Sequence, residues 1–505
     1  MPRRTESSSD PSIFAVFLDE KLPGPFYGLP FVEPNLCHST IHPPGRQRNK
    51  RPLHDRERKQ FQLEQLSWKA MRNADLPIHS LPAELLLQIF EQFIRPAYLP
   101  DVPLSQRRPP DERPRRPWAI LMRVCRHWCA LIRSSASFWR DIVISKDTKW
   151  FDLALGRLGG APFRIELAPG CSLKAVLPVL KRHADQIEKL VFEGEVRNTD
   201  VPHLRSFLSR SFPLLNNLAL TLKSSRHIRS VKSSVCSSSP LRWLDLTRTS
   251  LPWTSSLFTH LEVLSLTDCR SSTPALSFSN FLDALENGKR LRYLHLERFL
   301  SAALDPQTST PHERLITLPE LQHLTCCDLP ANVGQLMTHL YTPAISRVEL
   351  LGECHDVGAP STAHGSLLPE DASKRIPVLR SITHASLNVT AQDNDLRCSR
   401  RSLEFEMSLV DPDSIEFWDE GPWVDRSLRQ LPAMLGPALT ELEVGGCLDV
   451  SQATWDRVFD AFPALQTLLV HEYESAHFPI AMVRSLAAHP ERSASHHSAH
   501  STSTG

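Results

Sequence analysis

The sequence lacks any run of about 18 apolar residues, so no membrane-spanning helix is expected. It also lacks a dominant charge. The formal net charge is +1 over 505 residues, and nothing global argues for nucleic acid as a partner. The 11 cysteines are odd in number and include no Cys-x-x-Cys pair. No disulfide framework is readable, and a reducing compartment is the plainer expectation. Glycine is scarce, 18 residues against 41 prolines, which suits many short elements joined by proline-marked turns. No P-loop, dinucleotide fingerprint, Gly-x-Ser-x-Gly elbow or His-Glu-x-x-His motif occurs. The sequence therefore predicts no enzyme, no catalytic residues, no metal and no cofactor. The first residues lack the apolar core of a secretory signal. A cytoplasmic or nuclear location, or both, is the expectation.

What is present falls into blocks. Residues 1–55 are rich in Pro, Arg and Ser and predict a disordered segment. Within it, Arg46, Arg48, Lys50 and Arg51 resemble a nuclear address. Residues 56–79 predict a helical lead-in with Phe61, Leu63, Leu66 and Met71 as a weak apolar stripe. Residues 80–145 form a helical block interrupted by a basic Pro/Arg-rich insert at 95–117, expected to be a mobile surface loop. Short leucine-rich strands recur over 150–487, and 488–505 is a disordered Ser/His tail whose His489, His496, His497 and His500 are best read as functionless. The fold class expected is α+β.

The helical block opens on Ser80-Leu81-Pro82-Ala83-Glu84-Leu85 and runs to Ile89-Phe90. Ser80 is placed to cap the helix, Pro82 suits its first turn and Glu84 its positive end. Leu85, Ile89 and Phe93 repeat at helical spacing. Further on, Leu121, Val124, Cys125, Trp128, Leu131 and Ile132 are expected on one face of a second helix. Phe138-Trp139 and Ile142 close the unit.

This order resembles the F-box: a Leu-Pro-x-Glu opening, a Val-Cys-Arg-x-Trp helix and a final aromatic-Trp pair. The insert departs from the family's length. The resemblance implies a three-helix module that docks on a Skp-family adaptor and, through it, on a cullin-RING ligase core. The adaptor-contact candidates it implies are Leu81, Pro82, Leu85, Ile89, Phe90, Val124, Cys125, Trp128, Leu131 and Trp139. Of these, Ile89, Val124 and Leu131 serve equally as the module's own core, the preferred reading for them. Leu81, Pro82 and Trp139, near its ends, are expected to face the partner.

After the block, a Leu-x-x-Leu-x-Leu phrase recurs from Leu215, Leu241, Leu261, Leu291, Leu321, Leu439 and Leu465. Weaker versions sit at 187–192, 345–350, 379–384 and 403–407, and 351–375 and 408–435 read as insertions. One such repeat cannot bury its apolar side alone, so repeats must stack. Cys269 and Cys447 stand where leucine-rich repeats satisfy backbone groups in the turn after the strand. The whole resembles fungal-type F-box proteins carrying an irregular α/β leucine-rich-repeat-like solenoid.

Such a protein is a substrate receptor of an SCF-type ubiquitin ligase, with an unknown protein target and neither nucleic acid nor membrane as partner. Period-2 alternation places Trp243, Asp245, Ser265, Tyr293, His295, His323, Thr325 and Glu443 outward as candidate target contacts. The glycines Gly156, Gly159 and Gly160 predict a turn rather than a phosphate cradle. The acidic run from Asp411 to Glu420 predicts a solvated insertion. Competing readings are an F-box scaffold that recruits no substrate and a small-molecule sensor or enzyme with a pocket in the array.

Overall fold

A computed structural model describes residues 51–94, 118–144, 149–195, 199–223, 240–249, 258–269, 278–303, 314–353, 367–390, 393–410, 420–446, 449–471 and 480–488. The N-terminal 50 residues, the 95–117 insert, Cys447 and the His-bearing tail lie outside them. The chain divides into two units, Met1–Lys69 and Ala70–Gly505.

The lead-in helix α1 spans Arg51–Ala74, starting earlier than the sequence pattern suggested. Phe61, Leu63, Leu66, Trp68 and Met71 on it are all exposed. At 100° per residue, Phe61, Trp68 and Met71 share one side while Leu63 and Leu66 fall on the other. The expected single stripe does not form.

Within residues 80–145 the described helices are α2 (Ala83–Ile94), α3 (Ala119–Met122) and α4 (Arg126–Ser134). The continuous helix expected through Val124 and Cys125 is broken. Cys125 is extended, with φ −156° and ψ 168°, and its Sγ accepts from the Trp128 amide at 3.4 Å as the N-cap of α4. Ser80 does not cap α2; its hydroxyl donates to the Pro77 carbonyl at 2.6 Å. Instead the Pro82 carbonyl accepts from the amides of Leu85 and Leu86, both at 3.1 Å.

The strands are β1 (Asp141–Ile144), β2 (Phe163–Leu167), β3 (Ile187–Glu195) and β4 (Asn217–Lys223). Then follow β5 (Trp243–Thr247), β6 (Val263–Thr267), β7 (Tyr293–Glu297), β8 (Ile316–Thr317), β9 (His323–Asp328) and β10 (Leu340–Tyr341). The last are β11 (Arg347–Glu353), β12 (His384–Val389), β13 (Asp393–Arg400), β14 (Leu403–Val410), β15 (Glu441–Gly445) and β16 (Thr467–His471). Fourteen of them make one sheet in the order β1-β2-β3-β4-β5-β6-β7-β9-β11-β14-β13-β12-β15-β16, and β8 pairs with β10 separately.

Neighbours pair in parallel except β12 with β13 and β13 with β14. Parallel strands need long crossovers. Helices supply several of them, as at Lys149–Leu158, Leu173–Leu180, Phe278–Asn287 and Gln452–Ala461. The result is a mixed helix-and-strand fold built on a large, mostly parallel sheet. None of the described helices is long and apolar enough to cross a membrane.

The leucine phrase has a physical counterpart at every step. In Leu241-x-x-Leu244-x-Leu246 all three leucines are buried, as are their equivalents at 261, 264 and 266 and at 291, 294 and 296. The first leucine closes a turn before the strand, Leu261 N bonding to Phe258 O at 3.2 Å and Leu465 N to Phe462 O at 3.1 Å. The residue after it reaches back one strand. Arg242 N bonds to Asn216 O, Glu262 N to Arg242 O, Arg292 N to Glu262 O and Gln322 N to Arg292 O, all at 2.8–2.9 Å.

A second recurrence is invisible in the phrase. Arg248, Asp268 and Arg298, each one residue past its strand, have φ of 56°, 50° and 46°. Left-handed backbone is uncommon outside glycine. Here it repeats because each amide bonds forward, to Thr267 O, Glu297 O and Cys327 O at 2.7–2.9 Å. The three side chains form a ladder, with Asp268 3.2 Å from Arg248 and 3.1 Å from Arg298. Asn tolerates this backbone as well as Asp does. Asp268→Asn is therefore expected to cost only about 0.5–1 kcal/mol in urea unfolding, and the cost should shrink in high salt.

Cys269 follows in the same turn and donates to Leu246 O at 3.3 Å, and burial pushes its thiol up to about 11. Gly159 and Gly160, with φ of 58° and 90°, close the turn from the Lys149–Leu158 helix into β2.

Candidate functional site

The candidate residues fall on two surfaces. The first is α2. Leu86, Phe90 and Ile94 form one helical series and are buried. Leu85, Ile89 and Phe93 form the adjacent series, rotated by about 100°, and are exposed by 45%, 46% and 59%. An open groove of about 470 Å³ runs along this side, lined by Leu81, Leu85, Gln88, Ile89, Glu91 and Gln92. Beyond the insert, Ile120 and Val124 are also exposed. Phe93 and Ile120 were absent from the sequence-based candidates, although Phe93 continues the 85–89 series.

The remaining candidates divide between surface and core. Pro82 is exposed, while Leu81, Cys125, Trp128 and Leu131 are half-buried. Trp128 packs with its ring centroid 4.5 Å from that of Phe90, and its Nε1 is buried with no hydrogen-bond partner among the described residues. The structure corrects the preferred placements in both directions. Ile89 and Val124, expected in the core, are outside, because the buried side of the segment is set by Leu86, Phe90 and Ile132. Trp139, expected on the partner side, is inside, as is Phe90, a contact candidate with no preferred placement. Trp139 forms a three-ring cluster with Trp118 and Trp150, ring centroids 4.9 and 5.0 Å away, and its Nε1 donates to Ile132 O at 2.8 Å. The segment 141–144 then enters the sheet as β1, paired with β2.

The second surface is the sheet face away from the leucines. Strand registers align its residues in rows that cross the sheet. One row runs Trp243, Val263, Tyr293, His323, Arg347, Glu404. The next runs Asp245, Ser265, His295, Thr325, Glu349, Glu406. The structure thus brings seven of the eight candidate target contacts onto neighbouring strands β5, β6, β7 and β9, and leaves Glu443 on β15. Trp243, Asp245 and Ser265 are buried rather than exposed, at 6%, 2% and 4%. Adjacent parallel strands stand about 4.8 Å apart, so side chains of one row shield each other.

Charge on this face is uneven. Arg347 is shared by Glu349 at 2.5 Å and Glu404 at 3.1 Å. Glu406 meets Arg397 at 3.0 Å. His295 Nε2 lies 3.5 Å from Glu297, and that contact, with help from Arg298, holds the Glu297 carboxyl below its ordinary 4.5 despite partial burial. A depressed carboxyl stabilises the fold above its unfolded pKa. The contribution is lost as pH falls through the folded value. His295→Ala should therefore raise the Glu297 titration midpoint and reduce the acid-induced loss of stability below pH 4.5, as NMR titration and urea melts would read.

Burial, then the charges of Glu349 and Asp245, push the Tyr293 hydroxyl up. Burial and Arg347 push His323 down. No group of His, Cys, Asp or Glu among the described residues is arranged to hold a metal.

The profile of the F-box-like family matches residues 78–145. The chain carries an F-box-like domain, and domains of this class are in general adaptor and interaction modules. Comparison with curated proteins finds no match.

Proposed function

We propose that this chain is the substrate-recognition adaptor of an SCF-type ubiquitin ligase. Its F-box docks on a Skp-family adaptor, which links it to the cullin core, and a leucine-rich-repeat-like solenoid made by residues 150–487 binds the target protein. Transfer chemistry then belongs to other subunits. The observation that carries this reading is the F-box-like match at 78–145. Supporting it, the matched segment leaves large apolar side chains of α2 outside its own core. Side chains of that size gain roughly 1.5–3 kcal/mol each when covered. The contacts proposed are Leu81, Leu85 and Ile89 from the groove, joined by the exposed Pro82 and Val124.

The test is reconstitution with purified Skp-family adaptor and cullin-RING core. Co-elution of the full chain with adaptor and core is the expected result. A folded chain that binds no adaptor at micromolar concentration would refute the reading. A chain that binds adaptor but supports no ubiquitin transfer to any associated protein would be a scaffold.

A further inference from the structure

The central stretch of the polar face, from β5 to β14, has more chemistry than a neutral docking platform needs. Its described outward positions carry the carboxylates of Glu297, Glu349, Glu404 and Glu406, with Asp245 buried among them, around the guanidinium of Arg347, while Arg298 and Arg397 reach Glu297 and Glu406 from outside the rows. The chain as a whole is close to neutral, at +1, so this acidity is local. The face also holds polar atoms without a hydrogen-bond partner among the described residues. Trp243 is 6% exposed, yet its Nε1 has no hydrogen-bond partner among the described residues. The Asn217 Oδ1, beside it in the row, is likewise buried and has no partner among the described residues. A buried donor without a partner costs stability, and a ligand acceptor that reaches it recovers that cost. The aromatic rings of Tyr293 and His323 adjoin, 6.0 Å apart.

We propose that this face seats an extended Lys- or Arg-rich segment of the target protein. This rests on the receptor reading above and gives it a ligand chemistry. The carboxylates meet the cationic head groups. The half-buried ring of Tyr293 offers its face to a guanidinium and covers its alkyl stem. Trp243 Nε1 donates to a peptide carbonyl. Five strand spacings separate β5 from β14, about 24 Å, the reach of about seven extended residues. Phosphate backbones meet the wrong sign of charge here.

The test uses the full chain and two labelled decapeptides in fluorescence anisotropy, one alternating Arg and Ser, the other alternating Glu and Ser. The chain should bind the basic peptide, more weakly as salt rises, and ignore the acidic one. Glu297→Gln, Glu349→Gln and Glu406→Gln together should weaken binding about tenfold. Trp243→Phe, which keeps a ring and removes the N–H, should weaken it about threefold. Removing as many charges elsewhere, by Glu57→Gln, Glu64→Gln and Asp152→Asn, should change nothing. Circular dichroism checks that each variant is folded. Absence of binding to the basic peptide, or equal binding by the face variant and the wild type, overturns the proposal, as does equal loss in the remote variant. Failure of the receptor reading shows separately, as loss of adaptor co-elution with peptide binding intact.

Discussion

Replacing Leu85 and Ile89 together by glutamate should abolish capture of a Skp-family adaptor while leaving the chain's thermal unfolding midpoint within a few degrees of wild type. Both side chains are nearly half exposed, at 45% and 46%, and neither belongs to the connected apolar core. Their loss therefore removes little that the fold uses, and exposed substitutions usually stay within about 0.5 kcal/mol. In a complex the same positions would be covered. Two lost apolar contacts of roughly 1.5–3 kcal/mol each, with two carboxylates desolvated besides, amount to more than about a hundredfold in affinity. Size-exclusion co-elution and calorimetric titration read the outcome. Undiminished binding by the double variant would move the adaptor contact off α2.

Trp139→Ala should do the reverse: destabilise the chain by about 3–5 kcal/mol, as expected for a large aromatic removed from a core. The ring is 3% exposed, sits against Trp118 and Trp150, and anchors itself through the bond to Ile132 O at 2.8 Å. These contacts join the end of the F-box-like segment to the helix that leads into β2. Trp139→Phe keeps most of the packing and loses the hydrogen bond, so about 1–2 kcal/mol is expected. Urea denaturation followed by circular dichroism distinguishes the two variants. A Trp139→Ala chain as stable as wild type would show that the residue is not part of the core.

Together these variants separate two roles that look alike in the sequence. Leu85 and Leu86, or Ile89 and Phe90, are adjacent apolar letters. Helical geometry puts the two series about 100° apart, and only packing against Trp128 and Phe138 decides which one is buried. That is why the sequence reading places Ile89 and Val124 inside and Trp139 outside, and why the structure inverts those three. Trp139 was the hardest to foresee. Its partners Trp118 and Trp150 flank it at distances in the chain that no local periodicity connects.

Local pattern determined a good deal by itself. The ordered trio of Leu81-Pro82, Val124 to Trp128 and Phe138-Trp139 placed the F-box-like segment, because those signals are short and contiguous. The leucine phrases placed most strands, because alternation with period 2 buries the same positions wherever it stacks. Gly159 and Gly160 marked a turn, and Cys269 marked the backbone groups it satisfies. Tertiary structure decided the rest. The insertion of β14 and the antiparallel β13 between β11 and β12 reverses strand order, and no strand's own sequence encodes its neighbour. The left-handed turns at Arg248, Asp268 and Arg298 arise from amides that bond across to the next strand of the sheet. The acidic polar face exists only through register, which sets Glu349 beside Thr325 on one side and Glu406 on the other. Residues more than fifty positions apart become neighbours by that pairing, so charge that is dispersed along the chain is concentrated on the sheet.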